Sequence, residues 1–158
     1  MRRELCAVTT RSGSPRTWAI TSDGGYARVV SAALPRDVRV LTCLFFLVFA
    51  YGAVVHAVQI VGGGSDPYPG APAAIAVFFV ALVVLDPLAA LLIALRRRLG
   101  IAVGIGVLAL DAVANGVVNY PPYVTEPGVT AGRVGQMLVL LLAVGLAAAA
   151  PRLWRYYR

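Results

Sequence analysis

The sequence predicts an all-α polytopic membrane protein, an antiparallel bundle of four transmembrane helices preceded by a disordered N-terminal tail. Three observations predict it. Of 158 residues, 59% are hydrophobic and only 13% are charged, about half the roughly 25% charge of a soluble domain. The apolar residues gather in four runs, at about 38–61, 71–95, 99–119 and 134–150, each within the roughly 17–25 residues that let a helix cross a bilayer. The basic residues, all 14 of them arginine, are distributed with one-sided bias along the chain.

Residues 1–37 hold Ser, Thr, Gly, Pro and scattered arginine without apolar periodicity, which predicts a disordered cytoplasmic tail. The first apolar run comes too late, and is too long, for a cleavable signal peptide. Cys6 lies in this tail and Cys43 near the inner end of the first span. With no C-x-x-C spacing and a reducing compartment expected on that side, neither a disulfide nor thiol redox chemistry is predicted.

The first span, 38–61, carries Tyr51, His56 and Gln59 among apolar residues. Glycines and prolines at 62–70 form an outer loop, with Tyr68 suited to the headgroup interface. The second span, 71–95, contains Asp86 followed by Pro87, whose missing N–H and ring predict a kink that frees the carbonyl of Val83. Only Arg96, Arg97 and Arg98 separate it from the third span, 99–119, so these two helices form a tight hairpin. A second proline-rich loop with Tyr120 and Tyr123 leads to the fourth span, 134–150. Trp154, Tyr156 and Tyr157 then form an inner aromatic belt.

Arginine sets the orientation. Thirteen of the 14 lie before or at the very start of the first span, in the central turn or after the last span, and Arg133 alone falls on the other side. The positive-inside rule then puts both termini and the central turn in the cytoplasm, in a bacterial inner membrane. The net charge of +7 is thereby explained by topology and by anionic lipid headgroups as partners, with no nucleic-acid partner.

Polar residues inside the spans are the functional candidates, because a charged aspartate at a helix centre costs about 2.5–3.5 kcal/mol on insertion scales. Asp86 and Asp111 each lie 12.5 residues from a centre near residue 98.5, which predicts carboxylates at one depth, roughly 19 Å from the turn. Gly100, Gly104, Asp111, Asn115 and Asn119 share one face of the third helix at steps of four and seven residues. The glycines form a ridge for close approach and the rest a hydrogen-bonding ladder, so this helix should be central. Counting depth from the membrane entry groups Tyr51 with the aspartates, and His56, Gln136 and Asn115 in a layer above, with Gln59 and Asn119 beyond. A cavity opening outward follows from this layering.

Two carboxylates close together in low dielectric do not both ionise readily, so the pair is expected to share a proton and to serve as an acid/base or proton-coupled site. His56, with an ordinary value near neutrality, would relay protons outward. No metal site is expected: one histidine and two aspartates have no ligand spacing. No cofactor is expected either, since the single histidine excludes paired haem ligation and no phosphate-binding or dinucleotide fingerprint occurs. The opposite reading of the same residues is interhelical glue worth roughly 0.6–2 kcal/mol per contact.

Asp86-Pro87, the Arg96-Arg97-Arg98 turn, Asp111 and Asn115 resemble the middle hairpin of small four-helix bacterial membrane proteins of unassigned function. His56, Asp86 and Asp111 are also similar, more remotely, to positions in the EXPERA, or emopamil-binding-like, family, although that family's additional glutamates and tryptophan-rich cavity are missing here. The resemblance implies four or five spans, a central acidic cavity and apolar ligands, with isomerase activity in some members.

The sequence therefore leads to an integral membrane protein that binds a small apolar or amphipathic ligand in a polar cavity between helices. Asp86 and Asp111 are the expected acid/base pair; Tyr51, His56, Asn115, Asn119 and Gln136 are the expected ligand-orienting residues. Two other readings fit the same residues. One is a proton-coupled transporter or channel subunit working as a homo-oligomer, and the other a structural subunit accessory to a membrane partner protein.

Overall fold

The computed structural model describes residues 34–158. It consists of four helices, α1 (Arg36–Gly63), α2 (Ala73–Ala94), α3 (Arg98–Val118) and α4 (Ala131–Trp154). All four are long and apolar enough to cross a membrane, and the chain is an all-α, multi-pass membrane protein. Residues 1–33 of the expected tail, with Cys6, lie outside the described residues. Arg36 and Asp37, assigned to the tail from sequence, belong to α1.

Helix starts follow local chemistry. Pro35 and Pro72 precede α1 and α2, where a missing N–H costs nothing because the first donors of a helix have no partner. Thr130 caps α4 by accepting the Arg133 N–H at 3.2 Å. That cap starts α4 three residues before the apolar run. At its other end α4 continues through Pro151 to Trp154, and the Arg98 guanidinium donates to the carbonyls of Trp154 at 3.2 Å and Tyr157 at 3.1 Å beyond it. α2 likewise runs unbroken through Pro87, which is exposed.

The hairpin between α2 and α3 is tighter than the arginine triplet suggests, since Arg98 is already helical. Arg97 N–H reaches the Leu92 carbonyl at 2.8 Å, and Arg96 takes the left-handed conformation with φ 53°. The end of the chain braces this turn. Arg98 N–H donates to the Arg158 carbonyl at 3.0 Å, and Arg158 N–H to the Arg96 carbonyl at 2.9 Å.

The helices follow one another around the bundle, each packed on the next, while α1 meets α4 over only a thin seam. α3 is the central helix, as its glycine and amide stripe requires: 39% of its apolar window is buried, against 11% for α4. A Cβ at Gly100 would lie 2.7 Å from the Leu92 carbonyl carbon, so α3 lies directly on the α2 backbone there. Gly104 likewise admits the Phe49 ring and Leu146. Phe49, Leu82, Ile93, Ile101 and Leu146 form the centre of the core.

The two ends of the bundle differ. At the turn end, Tyr157, Leu153 and Val38 are buried, the Thr42 and Tyr157 hydroxyls are 3.0 Å apart, and Arg152 pairs with Asp37 at 2.7 Å. The guanidinium holds the Asp37 carboxyl below the usual carboxylate range. These contacts close the α1–α4 seam at that end. The opposite end carries the two long loops.

Candidate functional site

Helical phase decides which polar side chains enter the bundle. On α1, Phe45, Phe49, Gly52 and His56 recur at steps of four, three and four residues and form the inward stripe. His56 is buried, and its ring stacks on Phe79 of α2 with centroids 6.1 Å apart. Tyr51 is one residue, or about 100°, off that stripe, and is 72% exposed. This corrects the expectation that Tyr51 joins the aspartates: depth counting ignores azimuth, and the azimuth points Tyr51 away from the bundle.

Asp86 and Asp111 both face inward and are buried, at 5% and 9% exposure. Gly52 makes room for the first, since a Cβ there would lie 2.5 Å from Asp86 Oδ2. Asp111 accepts a hydrogen bond from Asn115 Nδ2 at 2.8 Å. Asn119 Nδ2 in turn donates to the Asn115 carbonyl at 2.9 Å. The ladder predicted on α3 is therefore made as a chain of amide bonds. It ends against Gly132 of α4, where an added Cβ would displace Asn119 Oδ1. Gln136 is half-buried and faces Gly116 across the same interface.

Asp86 has a different environment. Among the described residues its carboxylate has no hydrogen-bond partner, yet no fully enclosed side-chain oxygen lacks one, so its oxygens are not completely enclosed by protein. The charge of Asp111 is within electrostatic range of Asp86. No basic side chain pairs with either carboxylate; among the described residues the only ion pair is that of Asp37 and Arg152.

The expected common depth of the two carboxylates is not met. With Gly100 beside Leu92 and Ile93, the α2–α3 register joins residues whose numbers add to about 192–193. Asp86 thus stands level with residues 106–107, and Asp111 about one turn, roughly 7 Å, further from the turn. The contact of Gly52 with Asp86 by the same reasoning sets His56 level with residue 82 of α2, and so with Asp111. The polar groups form a staircase: Asp86, then Asp111 with His56, then Asn115 with Gln136, then Asn119. The common depth required a turn centre near 98.5, whereas the packing of Gly100 on Leu92 and Ile93 puts the centre two residues earlier, at about 96.

Above the staircase lies a cavity of about 230 Å³ at the loop end. Tyr68, Pro69, Gly70 and Ala71 of the first loop wall one side, Tyr123 and Val124 of the second the other, and Phe79 and Val118 belong to the helices beneath. The cavity opens at the end expected from sequence, but neither aspartate lines it, which corrects the picture of a cavity surrounding the acids. Phe79 and Val118 are each seven residues, about 10 Å, from Asp86 and Asp111 along their helices.

Tyr68 joins cavity and staircase, and sequence reading assigned it only to headgroup anchoring. Its hydroxyl lies 3.2 Å from His56 Nδ1 and donates to Gln59 Oε1 at 3.1 Å, while its ring packs on Phe79 at 5.0 Å. Burial, and then the charge of Asp111, push the Tyr68 hydroxyl above its ordinary range. Its position depends on how the first loop folds back over α1, which no local motif announces. Gly52 and Gly132 were missed too, and for them a signal existed: each is a small residue on the inward stripe of its helix.

The fold and the buried polar column define a polytopic helical membrane protein whose central helices carry inward-facing carboxylates. Comparison with family models, with curated proteins and with solved structures returns no match.

Proposed function

We propose that this protein binds a small amphipathic molecule at the loop end of the bundle, in the cavity between the two long loops. One observation carries the reading: a cavity of about 230 Å³ with three aromatic walls, Tyr68, Phe79 and Tyr123, stands directly over a hydrogen-bonded polar staircase. An apolar wall with a few convergent polar groups is the usual composition of a small-molecule site. The volume suits one ring with a short substituent, since an apolar cavity of about 150 Å³ holds benzene. Tyr68 would present the polar contact, braced by His56 and Gln59.

Binding is favoured over acid/base conversion of the ligand, because the cavity wall contains no carboxylate. Asp86 and Asp111 then act from below, as buried carboxyl groups set about one helical turn apart beneath the cavity. Arginine bias orients the turn end to the cytoplasm of a bacterial inner membrane and the cavity to the outside. The sealed turn end and open loop end also support a second reading, an outward-open state of a proton-coupled transporter, and proton flux in proteoliposomes that depends on Asp86 is its test.

The binding reading is tested with 2-phenylethanol as probe, using calorimetry on the full chain in an uncharged detergent. Saturable binding that is lost in Val124→Trp, which fills the cavity, is the expected result. Equal binding by wild type and Val124→Trp, or none by wild type, refutes it.

A further inference from the structure

We propose that the molecule taken by this cavity is an organic cation, an aromatic or short aliphatic ammonium compound. The inference rests on the binding reading above and names the class of its ligand. Four features point to it together.

The first is the wall. Tyr68, Phe79 and Tyr123 line the cavity, and aromatic faces attract ammonium groups through their quadrupoles, by about 0.5–2 kcal/mol per contact depending on desolvation. The second is the charge underneath. Asp86 and Asp111 are buried with no basic side chain paired to either, and low-dielectric surroundings carry their field upward with little screening. The wall residues Phe79 and Val118 stand seven residues, about 10 Å, beyond Asp86 and Asp111 along the same helices.

The third is the mouth. Asp66 lies two residues before Tyr68, and Glu126 two residues after Val124; both are exposed in the loops that frame the opening. Arg133 is the only arginine at this end among the described residues, and it is engaged elsewhere. Its guanidinium donates to the Asn119 carbonyl at 3.1 Å and to the Gly128 carbonyl, and stacks on Tyr120 at 4.8 Å. The fourth is the contrast with the other end, where Arg36, Arg39, Arg96, Arg97, Arg98, Arg152, Arg155 and Arg158 gather around the turn and the helix termini. Asp66 and Glu126 outnumber Arg133 at this end, so a cation approaching from the loop side meets a balance of attraction.

An isosteric pair of probes tests this, phenethylammonium against 2-phenylethanol, which differ only in the head group. Binding of each to the full chain in an uncharged detergent is measured by calorimetry at low salt. The ammonium compound is expected to bind at least about tenfold more tightly, equivalent to about 1.4 kcal/mol. That advantage should shrink to about twofold or less in Asp111→Asn. Because Asp111 holds a hydrogen bond that the fold uses, two further variants are measured. Asp86→Asn replaces a carboxyl that has no hydrogen-bond partner among the described residues, and Asp66→Asn removes a charge from an exposed loop; each should reduce the advantage. If the alcohol binds as well as the ammonium compound and still loses binding in Val124→Trp, the cation class is overturned while the cavity reading stands. If neither probe binds, both fall.

Discussion

Replacing Gly100 by alanine should loosen the α2–α3 hairpin, and the structure gives the size of the effect. The new Cβ would lie 2.7 Å from the Leu92 carbonyl carbon and 2.8 Å from the Ile93 nitrogen, where carbon contacts normally rest at about 3.5–4.0 Å. Both obstacles are backbone, so no rotamer change relieves the overlap and the helices must separate by about 1 Å. Overpacking of this kind costs about 1–3 kcal/mol. Against it stands about 1 kcal/mol gained in helix propensity when glycine becomes alanine. Gly106→Ala, on the same helix, isolates the clash, because a Cβ there meets nothing within 4 Å. Equilibrium unfolding in mixed micelles should therefore put Gly100→Ala below Gly106→Ala by about 1–3 kcal/mol, with Gly106→Ala at or above wild type. Equal midpoints for the two variants would refute the close hairpin, and with it the register that sets Asp86 one turn below Asp111.

Three further outcomes follow from contacts already described. Asn115→Leu leaves the Asp111 carboxylate without its 2.8 Å amide bond, and the same unfolding assay should register a loss of about 1–3 kcal/mol. Gly132→Ala would press a methyl into Asn119 Oδ1 and should destabilise by about 1–3 kcal/mol; the loss should largely vanish in an Asn119→Ala background. For the turn end, the Asp37 carboxyl is lowered first by its hydrogen bond to Arg152, so the folded state binds its proton later than the unfolded state does. The contribution of the pair is present above the ordinary carboxylate range and is lost as pH falls through the lowered value. Wild type should lose stability over that acidic interval more steeply than Asp37→Asn, with the difference reduced by salt because the pair is exposed.

The sequence by itself determined the class of this protein and the number of its helices. Apolar run length is a one-dimensional property, and a bilayer's thickness converts it directly into spans. It also determined the central place of α3, because Gly100, Gly104, Asp111, Asn115 and Asn119 repeat at the helical period, and a stripe of small and amide residues has to be covered by neighbours. Register and azimuth between helices were beyond it. Whether Asp86 and Asp111 share a level depends on where the α2–α3 turn is centred, and a slip of two or three residues there moves one carboxylate by about a helical turn. Tyr51 shows the same limit, since its depth was countable but its direction was fixed only by the stripe of Phe45, Phe49, Gly52 and His56 packing inward. Tyr68 shows it most fully. Its place over His56, and the cavity it walls with Tyr123, exist because two loops from opposite corners of the bundle converge, and contacts between residues so distant along the chain are decided by tertiary packing alone.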